Sequence, residues 1–231
     1  ILLLFNGGLM LFSALTSFIY SDGVTFELTL SAFIVLSMGA LMMLFGRRHN
    51  KKIQKREGYL IVTLGWLLMT ITGMLPFIMT DSIVDMSSTF FETMSGYTAT
   101  GATILSDIES LPAGILFWRS MTHWIGGMGI IVLAIAILPL LGIGGMQLFS
   151  AEAPGTGIGG DKIHPRISDT ARRLWIIYVG LTILETVLLK LAGMSFFDAI
   201  NSSMSNIASG GFSSKNESIG YWNDTPLIQY I

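Results

Sequence analysis

"SGYTATGATILS", Ser95 to Ser106, carries no charge and follows no helical or strand period, yet it stands between long apolar stretches. Hydroxyl side chains crowd around Gly101. Backbone that is neither helix nor sheet is tolerated at membrane depth only where protein buries it or where it lines a watery cavity. If the flanks of this stretch are membrane spans, it is such a segment, and its reading decides the fold.

The flanks meet that condition. Of 231 residues, 52% are hydrophobic and 12% charged, against roughly 25% charged in ordinary soluble domains. The mean hydropathy is +0.66. A bilayer crossing takes about 20 apolar residues. Five stretches qualify: Ile1 to Tyr20, Phe26 to Gly46, Gly58 to Thr80, a helix from about Phe117 to Leu141, and Arg173 to Leu191. Glu27 stands at the edge of the second, and Glu185 and Lys190 lie within the fifth. One such helix could belong to a soluble core; five in one chain read as membrane spans. With no cysteine, the chain offers neither a disulfide nor a thiolate metal ligand. It opens on Ile1 without the basic start and small-residue cleavage site of a signal peptide. It closes on "TPLIQYI", Thr225 to Ile231, the start of another apolar run, and so reads as a piece of a longer polypeptide.

Lysine and arginine in short loops set orientation. Arg47, Arg48, Lys51, Lys52, Lys55 and Arg56 form one basic run, and Lys162, Arg166, Arg172 and Arg173 another, which together hold ten of the thirteen basic residues. With both runs cytoplasmic, an even number of crossings separates them, and the N-terminus is cytoplasmic too. The spans Gly58 to Thr80 and Phe117 to Leu141 supply the two crossings, so the quoted stretch enters from the outside. Ahead of it, "DMSSTFFETMSGY", Asp85 to Tyr97, is too short to cross and too apolar for water. It reads as a re-entrant half-helix.

The unit recurs. "STFFETMSGYTATGAT", Ser88 to Thr103, returns loosely as "MSFFDAINSSMSNIASGGFS", Met194 to Ser213. Phe90-Phe91-Glu92 aligns with Phe196-Phe197-Asp198 at an offset of 106, and Thr100-Gly101 with Ser209-Gly210 at 109, which places a three-residue insertion in the second copy. Each copy follows an apolar helix that starts at a basic stretch. The fold class is thus an all-α membrane protein of repeated helix, half-helix, loop and helix units, preceded by an extra helix pair. Residues 1–56 are that pair and its basic loop, 57–142 the first repeat, 143–172 a cytoplasmic loop and 173–231 an incomplete second repeat.

This architecture suits a cation pore. Loop carbonyl oxygens there replace the hydration shell of the ion, glycine allows the backbone angles required, and the partly negative ends of half-helices favour a cation. Backbone oxygens of Thr98, Ala99, Thr100 and Gly101 in the first loop, and of Asn206, Ile207, Ala208, Ser209 and Gly210 in the second, are the candidate ion ligands. Because the two loops differ in side chains, coordination rests on the backbone. Asp81, Asp85, Asp107, Glu109, Glu217 and Asp224 fall on the outer side, where they either raise cation concentration at the mouth or simply solvate loops.

Glu92 and Asp198 read as acids near half-helix starts, where the dipole favours them. Glu185 needs a partner within the membrane; Lys190 is five positions on, too far round for an ideal helical pair, so a residue of a missing repeat is left to meet it, and Glu185 stands as a functional candidate. His123 reads as a packed, hydrogen-bonded histidine. Gly126, Gly127 and Gly129 read as points of close helix approach, and Trp118 and Arg119 as outer interfacial anchors. The Gly-rich stretch Ser150 to Arg166 lacks P-loop spacing and reads as a cytoplasmic loop. A small-solute carrier with broken helices, or a Na+-coupled transporter, is the alternative function; such folds commonly have inverted repeats, whereas both repeats here start from the basic side. No nucleophile–base pair, paired carboxylates or metal-ligand cluster appears, so the sequence does not read as an enzyme.

"HWIGGMGIIVLAIAILPLLG", His123 to Gly142, with "YTATGATIL" and "ASGGFS", resembles the Trk/Ktr/HKT superfamily of potassium transporters, and most of all the N-terminal half of its bacterial Trk membrane subunits. The resemblance implies four repeats around one pore and potassium uptake across the cell inner membrane, with K+ as the transported ion and no bound cofactor. It also implies a homodimer among membrane lipid, and a cytoplasmic ring of nucleotide-binding, TrkA-like regulatory subunits, with no nucleic acid partner. The family's filter glycine falls on Gly101 in the first repeat. In the second it falls on Gly210, with Gly211 as the competing choice.

Overall fold

The computed structural model describes residues 2–46, 55–141 and 163–231, with side chains of the long middle helix described as far as Gly129. The described residues are helical, without strands. In chain order the helices are α1 (Leu2–Tyr20), α2 (Thr25–Gly46), α3 (Lys55–Gly73), α4 (Leu75–Met79), α5 (Met86–Tyr97), α6 (Ala113–Leu141), α7 (Ile163–Leu191), α8 (Phe196–Ile207) and α9 (Pro226–Tyr230), with a 3₁₀ turn at Ser218–Trp222. Most of the first basic run, residues 47–54, and the Gly-rich stretch up to residue 162 lie outside the described residues.

The long helices are inverted relative to a soluble protein. The buried side of α1 carries Asn6, Gly7, Ser13 and Ser17. Large apolar residues such as Phe18, Phe26, Phe45 and Leu191 stand 70–82% exposed. Small residues let helix backbones approach, and large apolar ones suit lipid. Leu2–Tyr20, Thr25–Gly46, Val62–Met79 and Arg172–Leu191 are long and apolar enough to cross a membrane. The remaining expected span, fourth in chain order, is α6, whose 29 residues begin at Ala113 rather than at Phe117. The sequence places the start of the second repeat at Arg173; the helix begins earlier, at Ile163, because the basic stretch ahead of the apolar window continues the same helical run.

The third span is broken rather than continuous. Pro76 sits in the first turn of α4 and has no N–H to give to Thr72, so the helix is interrupted after Gly73. The Trp118 indole N–H donates to the Gly73 carbonyl at 3.0 Å. Trp118 is therefore fully buried behind the break, not an interfacial anchor. An indole needs its N–H satisfied when buried, and the break supplies an acceptor.

Both half-helices are the length and kind the sequence predicts. Asp85 caps α5, accepting from the Ser88 N–H at 2.7 Å, and hydrogen bonds from Ser88 hold its carboxyl below the usual carboxylate range. Ser195 caps α8, accepting from the Asp198 N–H at 3.0 Å. Side-chain oxygens at this position satisfy otherwise orphaned amides. Asp198 lies in the first turn of α8. Glu92 does not lie near a helix start: it is in the middle of α5 and 1% exposed, so the dipole explanation fails for it.

The glycines of α6 receive the ends of these half-helices. A Cβ on Gly126 would stand 2.0 Å from the Tyr97 carbonyl oxygen, and one on Gly127 2.9 Å from Ala208 Cα. Gly129 faces Trp66. Gly126→Ala should therefore push the end of α5 away from α6, costing about 1–3 kcal/mol as other overpacked sites do. The check is the thermal unfolding midpoint of purified protein in detergent; an unchanged midpoint would show that the contact is slack.

Candidate functional site

The two irregular loops leave α5 and α8 with the same backbone. Thr100 N–H donates to the Ser95 carbonyl and Gly210 N–H to the Ser205 carbonyl. Positive φ occurs at Ala99 (52°) and Gly101 (77°) in the first loop, and at Ser209 (59°) and Gly211 (85°) in the second. The helix caps Asp85 and Ser195 fall at the same spacing as these pairs, a uniform offset of 110. The offsets of 106 and 109 expected from the sequence are thus corrected, and the second copy holds no insertion between cap and loop. Backbone equivalence pairs Gly101 with Gly211 and Thr100 with Gly210. The Phe-Phe match misled because similar residues sit on different turns of the two half-helices.

The loops meet. A Cβ on Gly101 would lie 1.8 Å from the Gly210 carbonyl oxygen, so the first loop rests directly on the backbone of the second. Around this contact, Thr98 and Thr100 are exposed, Ala99 and Gly101 half-buried, Asn206 and Ser209 exposed, Ile207 half-buried, and Ala208 and Gly210 buried. The Thr98 and Thr100 hydroxyls lie 2.7 Å apart, and Thr98 also donates to the Met94 carbonyl at 2.8 Å.

A buried polar network stands behind the loops. Arg119 Nε donates to Glu92 Oε1 at 2.9 Å. Thr103 Oγ1 and the Ile104 N–H also donate to the Glu92 carboxylate. Arg119 Nη1 donates to the Ser213 carbonyl at 3.2 Å, which reaches the second loop from the first repeat. The Phe212 ring stacks on the His123 imidazole with centroids 3.8 Å apart, and the Arg119 guanidinium lies over the same ring, 4.0 Å from its centroid. Arg119 is 1% exposed, which corrects the expectation of an outer anchor. Burying a guanidinium is costly unless partners offset the lost water; here they are the Glu92 carboxylate, the Thr103 hydroxyl and the Ser213 carbonyl. His123 is fully buried, as expected for a packed histidine. Its Nδ1 lies 2.9 Å from Ser205 Oγ, and a Cβ on Gly210 would strike that ring at 2.1 Å.

The second repeat has its own tie. Ser214 Oγ donates to Asp198 Oδ1 at 2.6 Å. The segments beyond both loops join at one end of the molecule: the Ile108 N–H donates to Asn216 Oδ1 at 2.6 Å, Asn216 Nδ2 to Asp107 at 3.1 Å, and Lys215 pairs with Glu109 at 3.3 Å. The repeats therefore run parallel, not inverted. Of the outer acids, Asp107 and Glu109 are engaged in these bonds. Asn6 and Tyr97 escaped the sequence reading. Tyr97 Oη donates to Asn6 Oδ1 at 2.7 Å, docking the extra helix pair on the end of α5; a polar residue inside an otherwise apolar span was the available signal.

Glu185 accepts from Asn206 Nδ2 at 3.0 Å, so its partner lies on the half-helix of its own repeat. Lys190 Nζ instead donates to the Met194 carbonyl at 3.4 Å. Glu185, Asn206, Ile207, Ser209, Gly210, Gly211 and Ile231 line a pocket of ≈ 530 Å³.

Parallel half-helices entering beside spanning helices, with two strained loops in contact, define a helical membrane protein of the re-entrant-loop class. The chain belongs to the TrkH family of cation transport proteins, whose sequence pattern matches residues 25–231. It is 47% identical over its full length to the Trk system potassium uptake protein TrkH of Salmonella typhimurium, covering 48% of that protein. It is 40% identical over 89% of its length to TrkG of Escherichia coli, covering 42% of it. The crystal structure of the potassium transporter TrkH from Vibrio parahaemolyticus is similar with a TM-score of 0.84 at 42% identity, over 99% of this chain and 45% of that one. The chain thus spans about half the length of the relatives it matches.

Proposed function

We propose that this chain forms two of the four repeats of a channel-like pore that takes up K+ across the cell inner membrane. Backbone oxygens of Thr98, Ala99, Thr100 and Gly101, and of the second loop from Asn206 through Gly210 to Gly211, replace the water of the ion. The observation that carries this reading is the recurrence of one backbone, with positive φ at the same two positions, in two loops that touch through Gly101 and Gly210. A pair of adjoining loops with equal geometry is half of a ring of ligands. Half-helix ends of α5 and α8 point their partial negative charge to the same place, and main-chain oxygens suit an alkali cation. Parallel repeats speak for a pore over a carrier with inverted repeats. The names of the relatives agree with potassium as the ion.

In this reading the protein is a homodimer, as the superfamily resemblance implies, and a TrkA-like ring of nucleotide-binding subunits meets its cytoplasmic side. The basic runs face the cytoplasm and the loops enter from the outside. The test is Rb+ uptake into liposomes holding the full-length protein. Uptake should be competed by K+ far more strongly than by Na+, and cysteines replacing Asp107 and Glu217 should both react with an impermeant reagent from the outside. Equal competition by Na+, or labelling of the two positions from opposite sides, would overturn the reading.

A further inference from the structure

The carboxylate of Glu185 has the wrong sign for its place. It lies within the apolar window Arg172–Leu191, where an ionised group is costly and needs a partner. Its partner is the neutral amide of Asn206, in the last turn of α8. A helix end of that polarity already carries partial negative charge and favours cations, so an acid beside it lowers stability. Among the described residues no lysine or arginine pairs with Glu185; the ion pairs there are Arg119 with Glu92 and Lys215 with Glu109. The carboxylate opens instead on the ≈ 530 Å³ pocket whose wall includes Ser209, Gly210 and Gly211. No other titratable side chain lines it among the described residues. Two sources of negative potential thus converge on a polar pocket at the second loop, and no lysine or arginine among the described residues balances them.

We propose that Glu185 and the carboxyl end of α8 form a binding site for a hydrated monovalent cation beside the second loop, feeding that loop with ions. Asn206 fixes the carboxylate by its 3.0 Å hydrogen bond and leaves Oε2 for the ion's water. This site rests on the pore reading above, but it adds a ligand from a spanning helix, outside the loop backbones. A full charge in a low-dielectric cleft raises local cation concentration by tenfold or more.

The experiment compares full-length wild type, Glu185→Gln and Glu185→Asp by Rb+ uptake into liposomes across a range of Rb+ concentrations. Gln keeps the size and an acceptor for Asn206 but has no charge. Glu185→Gln should raise the half-saturating Rb+ concentration by about tenfold while maximal uptake and the elution profile of the purified protein change little. Glu185→Asp, which keeps the charge, should stay near wild type. A Glu185→Gln protein with the wild-type half-saturating concentration would overturn the proposal, as would an Asp variant as weak as the Gln variant. If Gln disrupts the elution profile, Glu185→Ser takes its place beside the Asp variant: a half-saturating concentration raised in Ser and near wild type in Asp is the expected result, and a wild-type value in the Ser protein counts against the site. Absence of Rb+ uptake by wild type would instead refute the pore reading itself.

Discussion

Gly101→Ala in the full-length protein should abolish selective Rb+ uptake, while Gly211→Ala should weaken it less. Both glycines hold positive φ, 77° and 85°, a conformation that costs an L-residue about 1–2 kcal/mol. Their surroundings differ. A Cβ at Gly101 would stand 1.8 Å from the Gly210 carbonyl oxygen, a backbone atom that can move only with its whole loop, whereas nothing lies within 4 Å of one at Gly211 among the described residues. The first substitution thus combines backbone strain with displacement of the neighbouring loop; the second brings strain alone. The measurement is Rb+ uptake with K+ and Na+ as competitors, taken on protein that elutes as wild type does. Wild-type discrimination in the Gly101→Ala protein would remove Gly101 from the ion path. Equal loss in both variants would mean that φ, and not the contact between loops, is what counts.

Arg119→Met should be strongly destabilising. It leaves the Glu92 carboxylate buried without its cation, and breaking one side of a buried ion pair costs about 3–5 kcal/mol. It also removes the donor to the Ser213 carbonyl and the cation over the Phe212 ring. Replacing both partners, Arg119→Met with Glu92→Leu, should recover part of the loss, because no unpaired charge remains. Thermal unfolding in detergent of the two singles and the double reads this as a coupling between sites. Strict additivity would show that the ion pair does not act as a unit. Since Arg119 bridges Glu92 of the first repeat and Ser213 of the second, the stable double variant should still show poorer discrimination against Na+. Its loops would have lost the strut between them.

Both expected results concern contacts that no reading of the chain in one dimension supplies. Apolar length placed α1, α2 and the apolar span of α7 well, since a span is a run of side chains that lipid tolerates, but it missed the first turns of α7. The half-helices and their loops were legible because a short apolar segment followed by uncharged, glycine-containing backbone has few places to go in a bilayer. The role of Gly126 and Gly127 was legible too, because a small residue inside a span signals a close approach. Trp118 and Arg119 were misread. Residue type makes them good membrane-edge anchors, and only the break at Pro76 and the carboxylate of Glu92 turn them inward.

By itself, the sequence determined the class of the protein: spans, short half-helices with irregular loops between them, and the existence of a repeat. These follow from local composition and from the cost of placing polar backbone in hydrocarbon. Tertiary structure decided the register of the repeat, because the loops are alike in φ and in hydrogen bonds while their side chains differ. It alone decided which polar groups share a partner, since Glu92 with Arg119, His123 with Ser205 and Glu185 with Asn206 are joined across 27, 82 and 21 positions. A buried charge in a membrane takes whichever partner folding brings within reach, and residue spacing carries no record of that choice.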